Sequence, residues 1–351
     1  FRNNTSAGHG GGMYCQTGSG SQTRMTYTGN TSRLGAGLEV YVATMDVTDT
    51  LFAGNSASEA GGGFLSWSST LTLTNAVFRG NRAGTSAGGG LAVWNGSATL
   101  TGVTISGNQN ASTGGLYSSA ATLAARNTIV WGNGGSEVGI AGGSAAFSYG
   151  LVEGGCPASA TCTSLLAVDP LFVTPVDPAT APTLAGDLHL LPASPAIGAG
   201  DNNVATPPLP ATDLDGHVRR SDSPGTPDSG NGTPPIGDLG AYEFPGPAPD
   251  LSVVKTNDAG AGGAPGTPFL WTLTVANAGT VGAPFAAGDV VLRDDLPSSG
   301  ASYGAPTVTP TNVTGTVACA VDGPAPLLCT ASPAVTFGAP TGRLVVSVPV
   351  T

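Results

Sequence analysis

Hydrophobic residues in the first 150 positions fall into short alternating runs, such as Leu71-Thr72-Leu73-Thr74 and Thr99-Leu100-Thr101, bounded by Gly and Asn. A period of two puts successive side chains on opposite faces, the pattern of half-buried strands; no ten-residue helical pattern with caps interrupts it. The runs also recur in register. A large apolar residue followed three positions later by Asn appears as Phe1/Asn4, Tyr27/Asn30, Phe52/Asn55, Phe78/Asn81, Ile105/Asn108 and Val130/Asn133, at steps of 26, 25, 26, 27 and 25 residues. A second marker, Gly before a large apolar residue, keeps phase with it as Gly12-Met13, Gly37-Leu38, Gly63-Phe64, Gly90-Leu91 and Gly115-Leu116.

A fixed period with several short strands and Gly/Asn corners predicts one coil of a parallel β-helix per unit over residues 1–150. The Leu-x-x-Leu-x-Leu frame of a leucine-rich repeat is missing. Coils stacked about 4.8 Å apart would set each apolar marker over its equivalent as an internal column. Each Asn would then lie over an Asn, where it can turn a left-handed corner and bond the next coil's amide in a ladder. Such a stack buries its core only through its neighbours.

From 151 to 244 the repeat stops and Pro becomes frequent, followed by a stiff Pro-rich linker over 245–249. Beyond it, Leu251-Ser252-Val253-Val254, Leu270-Trp271-Thr272-Leu273-Thr274-Val275, Asp289-Val290-Val291-Leu292 and Arg343-Leu344-Val345-Val346-Ser347-Val348 alternate between turns. That pattern predicts a β-sandwich over 250–351. The fold class expected is therefore all-β, a right-handed parallel β-helix followed by an Ig-like β-sandwich.

Three stretches carry resemblances. Phe52-Ala53-Gly54-Asn55 and Phe78-Arg79-Gly80-Asn81, interleaved with Gly88-Gly89-Gly90-Leu91, resemble the repeats of polymorphic outer-membrane adhesins and related right-handed β-helix surface proteins; Ile105 and Val130 depart from the usual Phe. The runs Asp187-Leu188-His189-Leu190, Ser194-Pro195-Ala196-Ile197, Asp213-Leu214-Asp215-Gly216 and Asp238-Leu239-Gly240-Ala241-Tyr242-Glu243 are similar to the C-terminal part of the choice-of-anchor β-helix proteins of bacterial envelopes. Gly198 stands where that family often has Asp, and the likeness implies that 151–244 forms the last coils and cap. The opening Asp250-Leu251-Ser252-Val253-Val254-Lys255-Thr256, the Asn277-Ala278-Gly279 turn and Asp294-Asp295-Leu296-Pro297 resemble an Ig-like repeat of large bacterial surface proteins. That resemblance implies a stalk or spacer, with one more strand beyond Thr351 to complete the sandwich.

Composition narrows the function. With a net charge of −11 and a single lysine, Lys255, the chain lacks the clustered basic residues that nucleic acid requires. Residues 1–150 hold five acids against six arginines, so the repeat region is nearly neutral. No run approaches 18 apolar residues, which predicts no transmembrane helix, and Phe1 opens inside a repeat, as expected of a mature or truncated piece. Cys156 with Cys162 and Cys319 with Cys329 are close pairs without neighbouring His, the spacing of local disulfides in an exported, extracellular or cell-surface protein; five buried free thiols are the alternative.

Candidate chemistry is sparse. Asp201, Asp213, Asp215, Asp238 and Glu243 supply the hard oxygen ligands that Ca²⁺ takes, without EF-hand spacing; alternatively they pair with Arg219 and Arg220 and cap turns. No other cofactor is indicated. Asp49 aligns with Asn75 and Asn127 at a strand corner and reads as a turn residue, and His9, His189 and His217 accompany no nucleophile motif. Trp67 and Trp94 each follow a marker Gly by four residues, so they should share a column that either stacks sugars or packs laterally; Trp131 is a further candidate. The expectation is a structural or adhesive surface protein and not an enzyme. Its partners would be other copies of the chain, extending a fibre through an open coil end or a missing sandwich strand, other surface proteins, or glycans. A carbohydrate-binding module is the alternative, and a β-helix polysaccharide lyase or hydrolase a more distant one.

Overall fold

The strand Leu38–Ala53 shows how one repeat winds. It pairs in parallel with Met13–Thr23 and Thr26–Thr28 on one side, and with Phe64–Trp67 and Thr70–Arg79 on the other. The register continues through Ser97–Ser106, Gln109–Trp131 and Gly134–Val152, and ends on Ala160–Leu166. This is a parallel β-solenoid of about 6 turns. The computed structural model describes the chain except residues 205–206, 224–225, 247, 260–266, 298–299 and 322–325. It divides into two compact units, Phe1–Gly246 and Pro247–Thr351. The linker expected over 245–249 includes residue 247, which lies outside the described residues.

Every full coil presents three parallel faces. In the coil of Leu38–Ala53 the chain turns between them at Val42 (φ 53°) and Asp49 (φ 51°), then leaves the third face at Gly54 (φ 63°). Equivalent corners in the next coils are Ser68, Asn75 and Gly80, then Asn95, Gly102 and Gly107, all left-handed. Gly and Asn adopt this conformation at little cost, whereas a β-branched residue pays about 1–2 kcal/mol for it. Val42 is exposed, so its strain is not offset by packing. Val42→Asn is therefore expected to raise the stability of the solenoid by about 1 kcal/mol, read as a higher urea midpoint with unchanged slope; a lower midpoint would contradict this corner geometry.

Inside the coils, Leu38, Val40, Met45, Val47, Phe52, Phe64, Leu71, Leu73, Phe78, Leu91, Leu100 and Ile105 form one continuous buried core. The described residues of 172–244 add no coils to it. Only Ala160–Leu166 stacks as a further layer; the chain then turns back, with Phe172–Thr174 pairing antiparallel to Asp187–Leu190. Described parts of the segment up to 244 lie along the third face as a strap. The reason is in the outward positions of that face. Val77, Ile129 and Leu151 are apolar where the second face carries Thr72 and Thr99, and an exposed apolar stripe needs a cover. Phe172, Val176, Leu188, Ile197 and Leu239 supply it. The strap also rests on the corner glycines: a Cβ at Gly107 would come 2.2 Å from Val176, and one at Gly80 would come 2.3 Å from the Thr183 carbonyl.

The second unit is antiparallel throughout its described strands. Leu251–Asn257, Phe269–Asn277, Gly342–Val350 and Thr307–Thr311 form a four-stranded sheet in that order. Two three-stranded sheets complete the unit, centred on Val335–Phe337 and Leu327–Ala331. Leu273, Val275, Leu292, Phe337, Leu344 and Val346 share one core, as in a β-sandwich. Gly342–Val350 is an interior strand bonded on both sides, and among the described residues the edges of its sheet are Leu251–Asn257 and Thr307–Thr311.

Candidate functional site

The two in-phase markers meet inside the solenoid. Phe1, Tyr27, Phe52 and Phe78 lie in one column with ring centroids 5.0, 5.0 and 4.6 Å apart and nearly parallel planes, and Ile105 and Val130 continue the column in register. The asparagines run beside it. In each of Asn4, Asn30, Asn55, Asn81 and Asn108, the backbone N–H and the Nδ2 amide both donate to Oδ1 of the next coil's Asn at 2.8–3.0 Å, ending at Asn133. From Asn30 onward the same Nδ2 groups also donate back to the carbonyls of the aromatic column; Asn55 reaches Tyr27 and Asn81 reaches Phe52, both at 2.9 Å. The marker glycine closes this arrangement. A Cβ on Gly63 would stand 2.9 Å from the Phe78 ring and 3.2 Å from Asn81 Nδ2.

Where the ladder ends, carboxylates replace the missing amide. Glu137 accepts from Asn133 N at 2.8 Å and from Asn133 Nδ2 at 2.5 Å, and Glu153 accepts from Gly132 N at 2.8 Å. Burial pushes the Glu137 carboxyl up to about 7, with the neighbouring Glu153 adding to the rise and the Asn133 donors opposing it. A carboxyl raised on folding contributes stability that is complete below its ordinary pKa and is lost as pH rises through the folded value. Between pH 6 and pH 8 the amides around Asn133 are therefore expected to lose hydrogen-exchange protection in the wild type and to keep it in Glu137→Gln. Protection that rises with pH would reverse this assignment.

The five carboxylates considered for calcium do not form one site. Asp213, Asp238 and Glu243 gather around Arg219, which is buried with them in the strap. Their oxygens are taken by backbone donors: Asp213 accepts from Asp215, His217 and Glu243, Asp238 from Gly198 and Phe244, and Glu243 from Arg220, Ser221 and Asp238. Arg219 donates to Asn75 Oδ1 at 2.6 Å and to the Gly240 carbonyl at 3.0 Å, tying the strap to a solenoid corner. Burial, then Glu243, raises Asp238 to about 7, so two acids beside one guanidinium hold a proton readily. Asp201 stands apart, bonded to Asn203 and Asn231 and 3.6 Å from Arg126, while Asp215 pairs with His189 at 2.6 Å. Among the described residues, no group of three or more His, Cys, Asp or Glu side chains is arranged to hold a metal ion.

His189 links two parts of the strap. It bonds Asp187 and Asp215 and lies 4.0 Å from the Tyr242 ring. Burial lowers its pKa, but the two carboxylates outweigh that and hold it above the ordinary value. Beside it is a cleft of about 510 Å³ lined by Arg24, Asp49, Asp213, Asp215 and Tyr242 among others. Asp49 serves its corner, accepting from Asn75 Nδ2 at 2.6 Å.

Trp67 and Trp94 share an outward column on the first face, in register with Tyr41 before them and Ser119 after. Their rings meet edge to face, 5.3 Å from Tyr41 to Trp67 and 5.4 Å from Trp67 to Trp94. They pack laterally on Leu34, Ala60, Leu65 and Ala92 yet stay half-exposed. The same four-residue offset, counted from Gly37, also places Tyr41. Trp131 lies elsewhere, against the strap. Cys156–Cys162 and Cys319–Cys329 are disulfides, and Cys15 is the free thiol. No helix among the described residues is long and apolar enough to cross a membrane.

Comparison with family models, with curated proteins and with solved structures returned no match. The class that fold and sites define is an all-β chain with a disulfide-bearing parallel β-solenoid and a second, antiparallel unit.

Proposed function

We propose that this chain is an extracellular structural or adhesive protein of a cell surface, of the kind its repeats resemble among polymorphic adhesins and choice-of-anchor β-helix proteins. The observation that carries the reading is how its acids are used. A solenoid lyase or hydrolase needs carboxylates free to hold metal or move protons, whereas Asp49, Asp213, Asp238, Glu243 and Glu137 have oxygens bonded to backbone or Asn donors that hold coils and strap together. Two disulfides support export to an oxidising compartment.

Contact with partners is favoured at one edge of the second unit. Among the described residues, Leu251–Asn257 pairs on one side only, and Val253 and Val254 are 56% and 55% exposed. An unpaired edge with apolar side chains invites strand addition, by another copy or another surface protein. Antibodies against the purified protein should label intact, unpermeabilised cells of the source organism. Labelling that appears only after permeabilisation would overturn surface display, and release of reducing sugar from polysaccharides by the pure protein would return the enzyme reading.

A further inference from the structure

We propose that the groove beside Trp94 on the first face binds an extended neutral glycan. This rests on the surface reading above and names the ligand class of its adhesive side. The groove holds about 370 Å³ and is lined by Trp94 and Tyr117 together with Thr85, Ser86, Ser112 and Ser119. Trp94 and Tyr117 lie on adjacent coils, since Trp94 pairs with Ser119 and Ala92 with Tyr117.

Three features select the ligand. None of the lining residues is charged, so a phosphate, a uronate or a basic peptide would leave its charge without a partner. Strand addition is closed here, because Leu91–Trp94 already pairs with Phe64–Trp67 on one side and Gln109–Trp131 on the other. A purely apolar ligand would cover the Ser and Thr residues of the lining without offering them a hydrogen-bond partner. A pyranose chain fits both surfaces: its C–H faces stack on the electron-rich aromatic rings while its hydroxyls exchange hydrogen bonds with Ser and Thr. The column continues past the groove through Trp67 to Tyr41 at 5.4 and 5.3 Å. The column thus offers one aromatic side chain per coil beyond the groove, which favours a chain over a single sugar.

The test is affinity electrophoresis of the intact protein in gels containing hydroxyethylcellulose, arabinoxylan or galactomannan, with heparin and polygalacturonate as anionic probes. At least one neutral polymer should retard the wild type. Tyr117→Ser and Ser119→Glu should weaken that retardation by about tenfold or more, the effect of removing an aromatic anchor or adding an unpaired charge. Trp94→Ala should do the same. Because Trp94 also packs on Leu65 and Ala92, the two surface variants decide if it unfolds. No retardation by any neutral polymer, retardation by the anionic polymers alone, or unchanged binding in Tyr117→Ser and Ser119→Glu would overturn the proposal. Surface labelling is a separate readout, so loss of glycan binding with labelling intact leaves the display reading standing.

Discussion

Asn81→Ala is expected to lower the stability of the solenoid by about 3 kcal/mol or more, although it removes only a small polar side chain. Asn81 is fully buried, and its Oδ1 accepts from both Asn55 N and Asn55 Nδ2. Its Nδ2 donates to the Phe52 carbonyl and to Asn108 Oδ1. Truncation would leave Asn55 N and one Asn55 amide hydrogen unpaired away from water, at about 1–3 kcal/mol for each such group before relaxation, and would remove a side-chain donor from the Phe52 carbonyl. Asn81→Asp should not rescue the loss. It keeps the acceptor but brings a carboxylate against the Phe52 carbonyl and Asn108 Oδ1 in the same buried column. Asn4→Ala is the contrast, since Asn4 is exposed and only donates within the ladder. The thermal midpoints should rank wild type, Asn4→Ala, then Asn81→Ala well below; equal midpoints for the two alanine variants would show that the ladder is ornamental.

Arg219→Met should loosen the strap while the coils stay wound. The guanidinium is buried among Glu243, Asp213 and Asp238 and makes the bonds to Asn75 and Gly240 that join strap to corner. Removing one partner of a buried ion pair costs about 3–5 kcal/mol, because the charge left behind has no water and no counter-ion. Limited proteolysis should then cut within 172–244 at protease levels that spare the wild type, with 13–166 persisting as a resistant fragment. The triple variant Arg219→Met, Asp238→Asn, Glu243→Gln should be milder than Arg219→Met alone, since it removes the stranded acids as well. If the triple variant is the weaker protein, the cluster stabilises through its hydrogen bonds more than through charge.

The coil architecture was legible because it repeats. Phe-x-x-Asn and Gly-apolar keep phase over six and five copies, and each has a local physical cause, ring on ring, amide on amide and a glycine where a Cβ would strike both. The strap was not legible from periodicity. Its likeness to a cap region suggested more coils, but its course is set by contacts far apart in the chain, such as Arg219 with Asn75 and Asp201 with Asn127. The one clue lay in Val77, Ile129 and Leu151, apolar at outward positions that a free solenoid face would keep polar. The role of Glu137 and Glu153 is illegible in the sequence for a related reason: an acid looks like scattered surface charge until the ladder it terminates is in view. Asp213, Asp215, Asp238 and Glu243 suggested calcium by composition, and backbone donors and His189, which composition cannot show, take up those oxygens instead.

The most direct test of a body held together coil on coil through its asparagine column is hydrogen–deuterium exchange followed by mass spectrometry on the full chain. Peptides spanning Asn55, Asn81 and Asn108 should be the most slowly exchanging in residues 1–246, and Asn81→Ala should release the peptides carrying Asn55 and Phe52 first. Rapid exchange across those peptides in the wild type, or a uniform loss of protection in the variant with no bias toward the coil that donates to Asn81, would contradict it.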